Sequence, residues 1–235
     1  MKLLLISNST NAGEEYLDYP KYNIKEFLGD IPIEALFIPY AAVTFSFDDY
    51  EKKVNHRFQE VGHAVKSIHH FSDPQEAIKE AKAIVIGGGN TWQLLKMMQE
   101  QNLVSTIAKM VQGGIPYIGW SAGSNMACPT IRTTNDMPIL QPQNFNACDL
   151  IPFQINPHYL DANPEGHAGE TREARIEEFI EANPDMYVMG LREGTMLWIE
   201  NDEIKLIGPR NARIFKKGME PKEHGPEDDF NFLLS

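Results

Sequence analysis

Cysteine is scarce in this sequence, which has only Cys128 and Cys148 among 235 residues. Two thiols without CxxC spacing do not form a disulfide framework, and they are typical of a reducing compartment. No apolar run approaches the roughly 20 residues that cross a bilayer. The N-terminal run Leu3–Ile6 is too short for a signal peptide. We expect a cytoplasmic protein that has no contact with a membrane.

Basic residues are also few, because 21 Lys and Arg face 33 Asp and Glu and give a net charge of −12. Such a surface repels phosphate backbones, so nucleic acid is excluded as a partner. It also repels a small acidic substrate unless cations are concentrated at the binding site. The composition leaves the oligomeric state open and allows a homo-oligomer.

No repeat, low-complexity tract or Gly/Ser linker divides the chain, so we predict a single domain over residues 1–235, with a loosely held acidic tail from about residue 220. Apolar runs alternate with helical patterns, for example the helix that Asp73-Pro74 opens. This alternation predicts an α/β fold with a parallel-rich sheet covered by helices on both faces. The predicted parallel strands are Lys2–Ser7, Glu34–Ala41, Lys66–Phe71, Ala83–Ile86 and Ile115–Trp120.

Three later apolar segments predict an antiparallel meander at the edge of this sheet. They are Thr195–Glu200, Glu203–Ile207 and Arg213–Phe215, and a polar Asn201-Asp202 turn joins the first two. Antiparallel edge strands near the C-terminus therefore complete the predicted fold.

The strongest chemical signal is the pentapeptide from Gly119 to Gly123, which matches G-x-S-x-G around Ser121. It follows an apolar strand and precedes a helix of small residues, which is the context that a nucleophile elbow requires. The flanking glycines let the backbone reverse sharply and expose the serine hydroxyl. The N–H of Ala122, at the start of the helix, can then stabilise an oxyanion. The alternative is a serine in an ordinary tight turn.

A second glycine-rich turn, Gly87-Gly88-Gly89-Asn90, also follows a strand and opens a helix. It is neither G-x-G-x-x-G nor a P-loop, so a nucleotide cofactor is not predicted. In a parallel sheet this loop lies at the same edge as Ser121. The N–H of Gly89 can then be the second oxyanion donor, or the glycines can serve only close packing.

A serine nucleophile needs a base, and His158 is placed at the end of the predicted strand Leu150–Ile155. On position alone, a structural role for this histidine is as well supported as a catalytic one. Of the other histidines, His56 and His63 are predicted on the surface of one helix, and His224 in the acidic tail. His69 and His70 are predicted to point to opposite faces of a strand, which would prevent joint metal binding.

The carboxylate that orients the base has two candidates, Asp136 and Glu193, and a position at the C-terminal end of a strand favours Glu193. An alternative is that His158 belongs to a metal-binding group with His167, Glu165 and Glu170. It lacks the HExxH spacing and falls in an irregular loop, so the sequence predicts neither a catalytic metal nor any other cofactor.

Together these segments resemble the peptidase E family of serine peptidases, in the family's order and from the first strand to beyond Glu193. The stretch Gly119–Pro138 is much more specific than the pentapeptide alone. The segments that carry the resemblance are Gly87–Thr91, Gly119–Ser121 running into Ala127–Pro138, Gln154–His158, Pro164–His167, Gly169–Glu173, Gly190-Leu191 and Glu193-Gly194.

The resemblance implies a fold related to class I glutamine amidotransferases and a serine peptidase that cleaves dipeptides with N-terminal aspartate. It implies that Ser121 is the nucleophile, His158 the base, and Glu193 or Asp136 the acid. It also implies that Arg172 binds the aspartyl side chain of the substrate. An alternative for Arg172 is a surface cation balanced by Glu170 and Glu173.

The sequence departs from the family pattern at Arg192, where a proline is expected. A cation at this position could change the hydrogen bonding between the neighbouring Glu193 and His158. The alternatives to this function are a cyanophycinase-like peptidase, an α/β-hydrolase esterase with His224 as its base, and a non-catalytic amidotransferase-like binding module.

Overall fold

A computed structural model gives the fold of residues 1–162, 166 and 168–234. The strands within them are β1 (Lys2–Ile6), β2 (Glu34–Ile38), β3 (Ala64–Ser67), β4 (Ile84–Ile86), β5 (Tyr117–Trp120), β6 (Gln154–Tyr159), β7 (Val188–Arg192), β8 (Met196–Glu200), β9 (Glu203–Ile207), β10 (Ala212–Phe215) and β11 (Lys222–His224). The α-helices are α1 (Lys21–Leu28), α2 (Phe47–Glu60), α3 (Pro74–Glu80), α4 (Thr91–Glu100), α5 (Leu103–Gln112), α6 (Ala122–Ala127) and α7 (Arg172–Ala182).

The larger sheet has seven strands in the order β3-β2-β4-β5-β1-β8-β9. The first five are parallel, and β8 and β9 add to them in antiparallel pairs. The prediction of a parallel-rich sheet with antiparallel edge strands is confirmed. All the parallel strands end at one edge of the sheet, where the loops that carry Gly88 and Ser121 meet.

Helices cover this sheet on both faces, as β1 illustrates. Leu3 and Leu5 pack into a core with residues of α3 to α6, whereas Leu4 and Ile6 pack into a second core with residues of α1 and α2. Successive side chains of a strand point to opposite faces, so a strand buried on both faces reads as a continuous apolar run. The two-sided cover explains why β1 has no polar alternation.

A second sheet of four strands has the order β11-β10-β7-β6, with β6 and β7 parallel and the other pairs antiparallel. The predicted meander is therefore wrong in its third segment, since β10 pairs with β7 and not with β9. The chain leaves β9 through Gly208, whose φ is 130°, and Pro209. A positive φ and a residue without N–H both end strand pairing, which frees β10 for the other sheet.

The predicted strand Lys66–Phe71 is wrong in its second half. Strand β3 stops at Ser67, and Ile68–His70 form a 3-10 helix that the Phe71 N–H closes on the Ile68 carbonyl at 3.1 Å. Consecutive residues of such a tight turn can lie side by side, and the ring centroids of His69 and His70 are 3.9 Å apart. The two histidines do not point to opposite faces.

Two other predictions about the histidines also fail. His63 is buried, because α2 ends at Glu60 and the chain turns at Gly62, where φ is 85°. Its Nδ1 accepts a hydrogen bond from the Ile33 N–H at 3.2 Å. His224 is part of β11 and not of a loose tail.

The segment after residue 220 is held against the rest of the protein, contrary to the prediction of a loosely held tail. Strand β11 pairs with β10, and Phe230 and Leu233 are buried in the main core. In the sequence these two apolar residues follow a run of acidic ones, so their burial was not predicted. Among the described helices, none is both long and apolar enough to cross a membrane.

Candidate active site

Ser121 lies in the sharp turn between β5 and α6, with φ 54° and ψ −112°. The turn needs its glycines because neighbouring backbone leaves no room for a side chain. A Cβ on Gly119 would lie 2.4 Å from the Gly123 carbonyl oxygen, and a Cβ on Gly123 would lie 2.2 Å from that of Ile86. The serine N–H donates to the Ile6 carbonyl at 3.0 Å, which fixes the turn to β1. The G-x-S-x-G pattern thus has the strand, turn and helix that it predicts.

His158 faces Ser121 from the second sheet. Its Nε2 is 2.9 Å from the Ser121 hydroxyl, and its Nδ1 is 2.7 Å from Oε1 of Glu193. The histidine has a φ of 53° and interrupts the β6–β7 register between Pro157 and Tyr159, which turns its side chain toward the first sheet. Ser121, His158 and Glu193 therefore form one hydrogen-bonded chain.

Ser7 and Asn8, which are not among the site residues predicted from the sequence, stabilise this arrangement from the end of β1. The Ser7 hydroxyl accepts from the His158 N–H at 3.0 Å and donates to the Leu191 carbonyl at 2.7 Å. Oδ1 of Asn8 accepts from the N–H of Gly194, directly after Glu193, at 2.8 Å. Both are buried polar residues that follow an apolar strand at the edge shared with Ser121, which is the signal that could have identified them.

Asp136 lies at the N-terminus of α4 and bonds to Thr91 and Thr134 in place of His158. Its Oδ2 accepts from the Thr91 N–H at 2.8 Å, from the Thr91 hydroxyl at 2.5 Å and from the Thr134 hydroxyl at 3.1 Å. A carboxylate is favourable at this end of a helix, where N–H groups are unpaired. The structure thus brings Glu193, and not Asp136, to the imidazole.

The glycine loop lies directly against the serine. A Cβ on Gly88 would be 3.1 Å from Ser121 Cβ, and a Cβ on Gly89, whose φ is 132°, would be 2.3 Å from the Ala41 carbonyl oxygen. In the part of the chain that the structure describes, we find no hydrogen-bond acceptor for the N–H groups of Gly89 and Ala122. The Gly88 carbonyl accepts from the Tyr50 hydroxyl at 2.9 Å, which anchors the loop to α2.

Arg172 is the first residue of α7, and its side chain is half-buried. Burial lowers the pKa of its guanidinium, the neighbouring Arg175 lowers it further, and the charge of Asp136 raises it. The two acids that could balance it at the surface pair elsewhere: Glu170 lies 3.7 Å from Arg175, and Glu173 lies 2.9 Å from Arg213. Within residues 1–162, 166 and 168–234, no carboxylate lies in ion-pair distance of Arg172.

Arg192 points away from Glu193, so the expectation that it changes the Glu193–His158 contact is wrong. Adjacent residues of an extended chain turn to opposite sides. Its guanidinium bonds to Asp161, to both carboxylate oxygens of Glu223 at 2.8 and 2.9 Å, and to the Asn211 carbonyl at 2.6 Å. These hydrogen bonds raise the pKa of Arg192 and lower those of Asp161 and Glu223. The residue joins β7 to β11.

The alternative metal group around His158 is not assembled by the described residues. Both ring nitrogens of His158 are engaged, by Ser121 and by Glu193. Glu170 lies near Arg175, and His167 and Glu165 lie outside the described residues.

Comparison with known proteins is consistent with this geometry. Residues 3–207 match the profile of Peptidase family S51. The chain is 52% identical over 233 residues to a protein named Peptidase E from Nostoc sp., covering 99% of this chain and 96% of the relative. It is 48% identical over 220 residues to Peptidase E of Salmonella newport, covering 94% of this chain and 96% of that one.

The fold also matches a solved structure. A peptidase from an acI-B1 Actinobacterium superposes with a TM-score of 0.71 at 17% identity, covering 97% of this chain and 96% of that structure. At this identity the match concerns the fold alone. The family profile spans most of the chain, and the sequence relatives are about half identical along nearly their whole length. This chain therefore belongs to peptidase family S51.

Proposed function

We propose that the chain is an α-aspartyl dipeptidase, a serine-type hydrolase that cleaves the peptide bond of Asp-X dipeptides through an acyl-enzyme on Ser121. The observation that carries the proposal is the hydrogen-bonded chain of Ser121, His158 and Glu193, with distances of 2.9 and 2.7 Å. This is the geometry in which an imidazole activates a hydroxyl while a carboxylate fixes its tautomer. The names of the relatives, Peptidase E, support the same reaction.

In the first half of the reaction, the Ser121 hydroxyl attacks the carbonyl carbon of the aspartyl residue and His158 Nε2 takes the hydroxyl proton. Glu193 accepts the Nδ1–H hydrogen bond and stabilises the imidazolium. The N–H groups of Ala122 and Gly89 donate to the oxyanion of the tetrahedral intermediate, one from the helix start and one from the glycine loop. His158 then gives its proton to the leaving amine.

In the second half, a water molecule replaces the leaving amino acid. His158 takes a proton from this water as its oxygen attacks the acyl carbon, and the proton then returns to the Ser121 oxygen as the ester bond breaks. Free aspartate leaves, and the serine hydroxyl is restored. We assign Asp136 a positioning role, because it caps α4 directly after the glycine loop.

Specificity for aspartate is assigned to Arg172. A protein with a net charge of −12 repels a free acidic substrate, so the site requires a concentrated positive charge. Arg172 is half-buried at a helix N-terminus, and both the guanidinium and the unpaired N–H groups favour a carboxylate. A planar guanidinium binds both carboxylate oxygens of an aspartyl side chain, and its fixed reach rejects the longer glutamyl side chain.

The site draws Ser121 from the first sheet and His158 and Glu193 from the second, which supports treating residues 1–235 as a single peptidase domain. A reducing cytoplasm is the compartment we propose. Cys128 and Cys148 are both free and buried, and burial raises the pKa of each thiol to about 12, which keeps the thiols protonated and unreactive.

The proposed activity is tested by release of free amino acids from a dipeptide panel containing Asp-X, Glu-X, Asn-X and β-Asp-X. The expected result is rapid cleavage of Asp-X alone, with Ser121→Ala as the inactive control. Equal cleavage of Asn-X would overturn the assignment of an aspartyl site. Absence of cleavage together with no labelling of Ser121 by a serine-reactive phosphonate would favour a binding module instead.

A further inference from the structure

A second cluster of reactive side chains lies outside the candidate active site, where the first turns of α2 meet the end of β3. Its members are Asp48, Glu51, His69 and His70, and we call it the α2–β3 cluster. Each residue offers one ligand atom, and the four atoms all lie within 4.8 Å of one another. No member takes part in the hydrogen-bonded chain of Ser121, His158 and Glu193.

In both His69 and His70, Nε2 is the ring nitrogen that faces the carboxylates. His69 Nε2 is 2.9 Å from Asp48 Oδ1, and His70 Nε2 is 2.6 Å from Glu51 Oε2 and 3.6 Å from Asp48 Oδ1. Asp48 and Glu51 are three residues apart on a helix, so they share one face. The 3-10 helix at Ile68–His70 places the two histidines side by side against that face.

Ser67 orients two of the ligand residues, His69 and Glu51, by contacting the polar atom of each that does not face the cluster. Its hydroxyl lies 2.6 Å from His69 Nδ1, which leaves Nε2 for the cluster, and its N–H donates to Glu51 Oε1 at 2.7 Å, which leaves Oε2. The His69 ring also packs against Phe47, with centroids 5.6 Å apart. Hydrogen bonds to the second ring nitrogen and to the second carboxylate oxygen are typical of metal ligands, because they fix the tautomer and the direction of the donor atoms.

We propose that the α2–β3 cluster is a binding site for a divalent first-row transition-metal cation of the zinc type. Two imidazole nitrogens and two carboxylate oxygens form a ligand set that zinc accepts in tetrahedral geometry. With ligand bonds of about 2.0–2.2 Å, a tetrahedral site requires ligand atoms roughly 3.3–3.6 Å apart, so small side-chain rotations suffice. A divalent cation also neutralises the two carboxylates.

The proposed cation has an open route and a structural role. The Asp48 side chain is 75% exposed, whereas those of Glu51 and His69 are 18% and 21% exposed. A cation can therefore reach the site from the Asp48 side, while the other two ligands are held by the surrounding protein. Binding would tie α2 to the end of β3. Tyr50, between the two acidic ligands, bonds to the Gly88 carbonyl beside Ser121, so the cation would stabilise the helix that supports the glycine loop.

The test is titration of the full-length protein, freed of metal with EDTA, with Zn²⁺ in a calorimeter. We expect one equivalent to bind, with affinity reduced about 100-fold or more in His69→Gln/His70→Gln because ligands are lost. His56→Gln is the matched control, since His56 is an exposed histidine on α2, the helix that carries Asp48 and Glu51, but lies outside the cluster. Equal binding by wild type and the double variant would overturn the proposal, as would binding that disappears only in His158→Gln.

A second measurement covers the case in which the double variant does not fold. Asp48→Asn changes the most exposed ligand and is expected to leave the fold intact. Wild type should gain thermal stability as the Zn²⁺ concentration rises, and its Co²⁺ form should show intense visible bands of a tetrahedral site. Both effects should be lost or strongly weakened in Asp48→Asn. A Tm that rises equally in both proteins would show that the cation binds elsewhere.

Discussion

Ser121 and His158 meet across two different sheets, and both have a positive φ angle. Their φ angles are 54° and 53°, and the Oγ–Nε2 distance between them is 2.9 Å. A residue with a Cβ avoids this region, and each instance costs about 1–3 kcal/mol. The surrounding structure therefore holds a strained pair at the point where the chemistry is assigned.

Replacing the nucleophile gives the first prediction. Ser121→Ala should lower kcat about 10⁴-fold or more, because the hydroxyl, the imidazole and the carboxylate act as a unit. Activity is measured as release of aspartate from Asp-X. The control is the variant Ser105→Ala, which changes an exposed residue of α5. If a well-folded Ser121→Ala protein retains a tenth of the wild-type activity, the serine mechanism is wrong.

The strained backbone gives the second prediction. Ser121→Gly should be as inactive as Ser121→Ala but more stable, because glycine adopts this conformation without strain. The relief of about 1–3 kcal/mol exceeds the roughly 0.4–1 kcal/mol that glycine loses through its freer unfolded chain. We expect a net difference of about 1 kcal/mol in the free energy of unfolding, measured by urea denaturation.

Ser105 in α5 provides the matched comparison, because there the order should reverse. Ser105→Ala should be more stable than Ser105→Gly by about 0.5–1 kcal/mol, as in an ordinary helix. The same order at both positions would mean that Ser121 is not strained.

The third prediction separates the two acids. Glu193→Ala should lower kcat by about 10²- to 10⁴-fold with little change in KM, since it removes the group that orients His158. Asp136→Ala should alter KM as well as kcat, because it releases the N-terminus of α4 and the glycine loop. Steady-state kinetics on Asp-X distinguish the two. A larger loss of kcat in Asp136→Ala, with KM unchanged, would reverse the assignment.

The fourth prediction concerns substrate recognition by Arg172. Arg172→Met should reduce kcat/KM for Asp-X about 100-fold, since the aspartyl carboxylate is left without its partner. The difference between Asp-X and Asn-X should also narrow, because only aspartate carries a charge. Arg175→Met on the same helix is the control, because Arg175 is exposed and lies near Glu170. Unchanged discrimination against Asn-X in Arg172→Met would assign the carboxylate to another cation.

The fifth prediction is a dependence of stability on pH through Arg192. Hydrogen bonds to Arg192 lower the pKa of Asp161 and of Glu223, so both carboxylates stabilise the fold above the pKa they have when unfolded. This contribution disappears as the pH falls through the lowered pKa values of the folded state. Arg192→Met should therefore reduce the free energy of unfolding by about 1–3 kcal/mol at pH 7, a range that allows for solvent screening of the exposed carboxylates.

The difference between wild type and Arg192→Met should shrink as the pH drops below about 4, where the carboxylates become protonated. Urea denaturation at a series of pH values measures it. Arg210→Met serves as the control, since Arg210 is exposed and acts on Asp161 only at a distance. A constant difference from pH 7 to pH 3 would contradict this account.

Local patterns predicted most of the larger sheet, because continuous apolar runs identify strands that are buried on both faces. The turn at Ser121 was predictable because the G-x-S-x-G pattern lies between an apolar strand and a helix of small residues, although the contact that requires Gly123 is with the distant Ile86. The positions of β10 and of the 3-10 helix at Ile68–His70 were not. The strand that pairs with β10 is not its neighbour in sequence. Segments of three or four residues, such as the 3-10 helix, also carry too little periodicity to show their conformation.

The parts of the candidate site that escaped prediction depend on contacts distant in sequence. Ser7 bonds to His158 and Leu191, which follow it by 151 and 184 residues. Its place after an apolar strand indicates the sheet edge, but nothing in the local sequence shows which distant residues it contacts. The position of Glu193 at the C-terminal end of a strand favoured it over Asp136, but only the three-dimensional arrangement shows which carboxylate contacts the imidazole.

The hydrogen bonds of the Ser7 hydroxyl also bear on folding during synthesis, because they join segments that are made at different times. Ser7 is synthesised before Leu191, which follows it by 184 residues, and before Glu223, which bonds to Arg192. The arrangement of Ser121, His158 and Glu193 is complete only when those late segments have docked on the first strand. In a nascent chain the Ser121 hydroxyl therefore has no general base until His158 and Glu193 have been synthesised and have docked beside it.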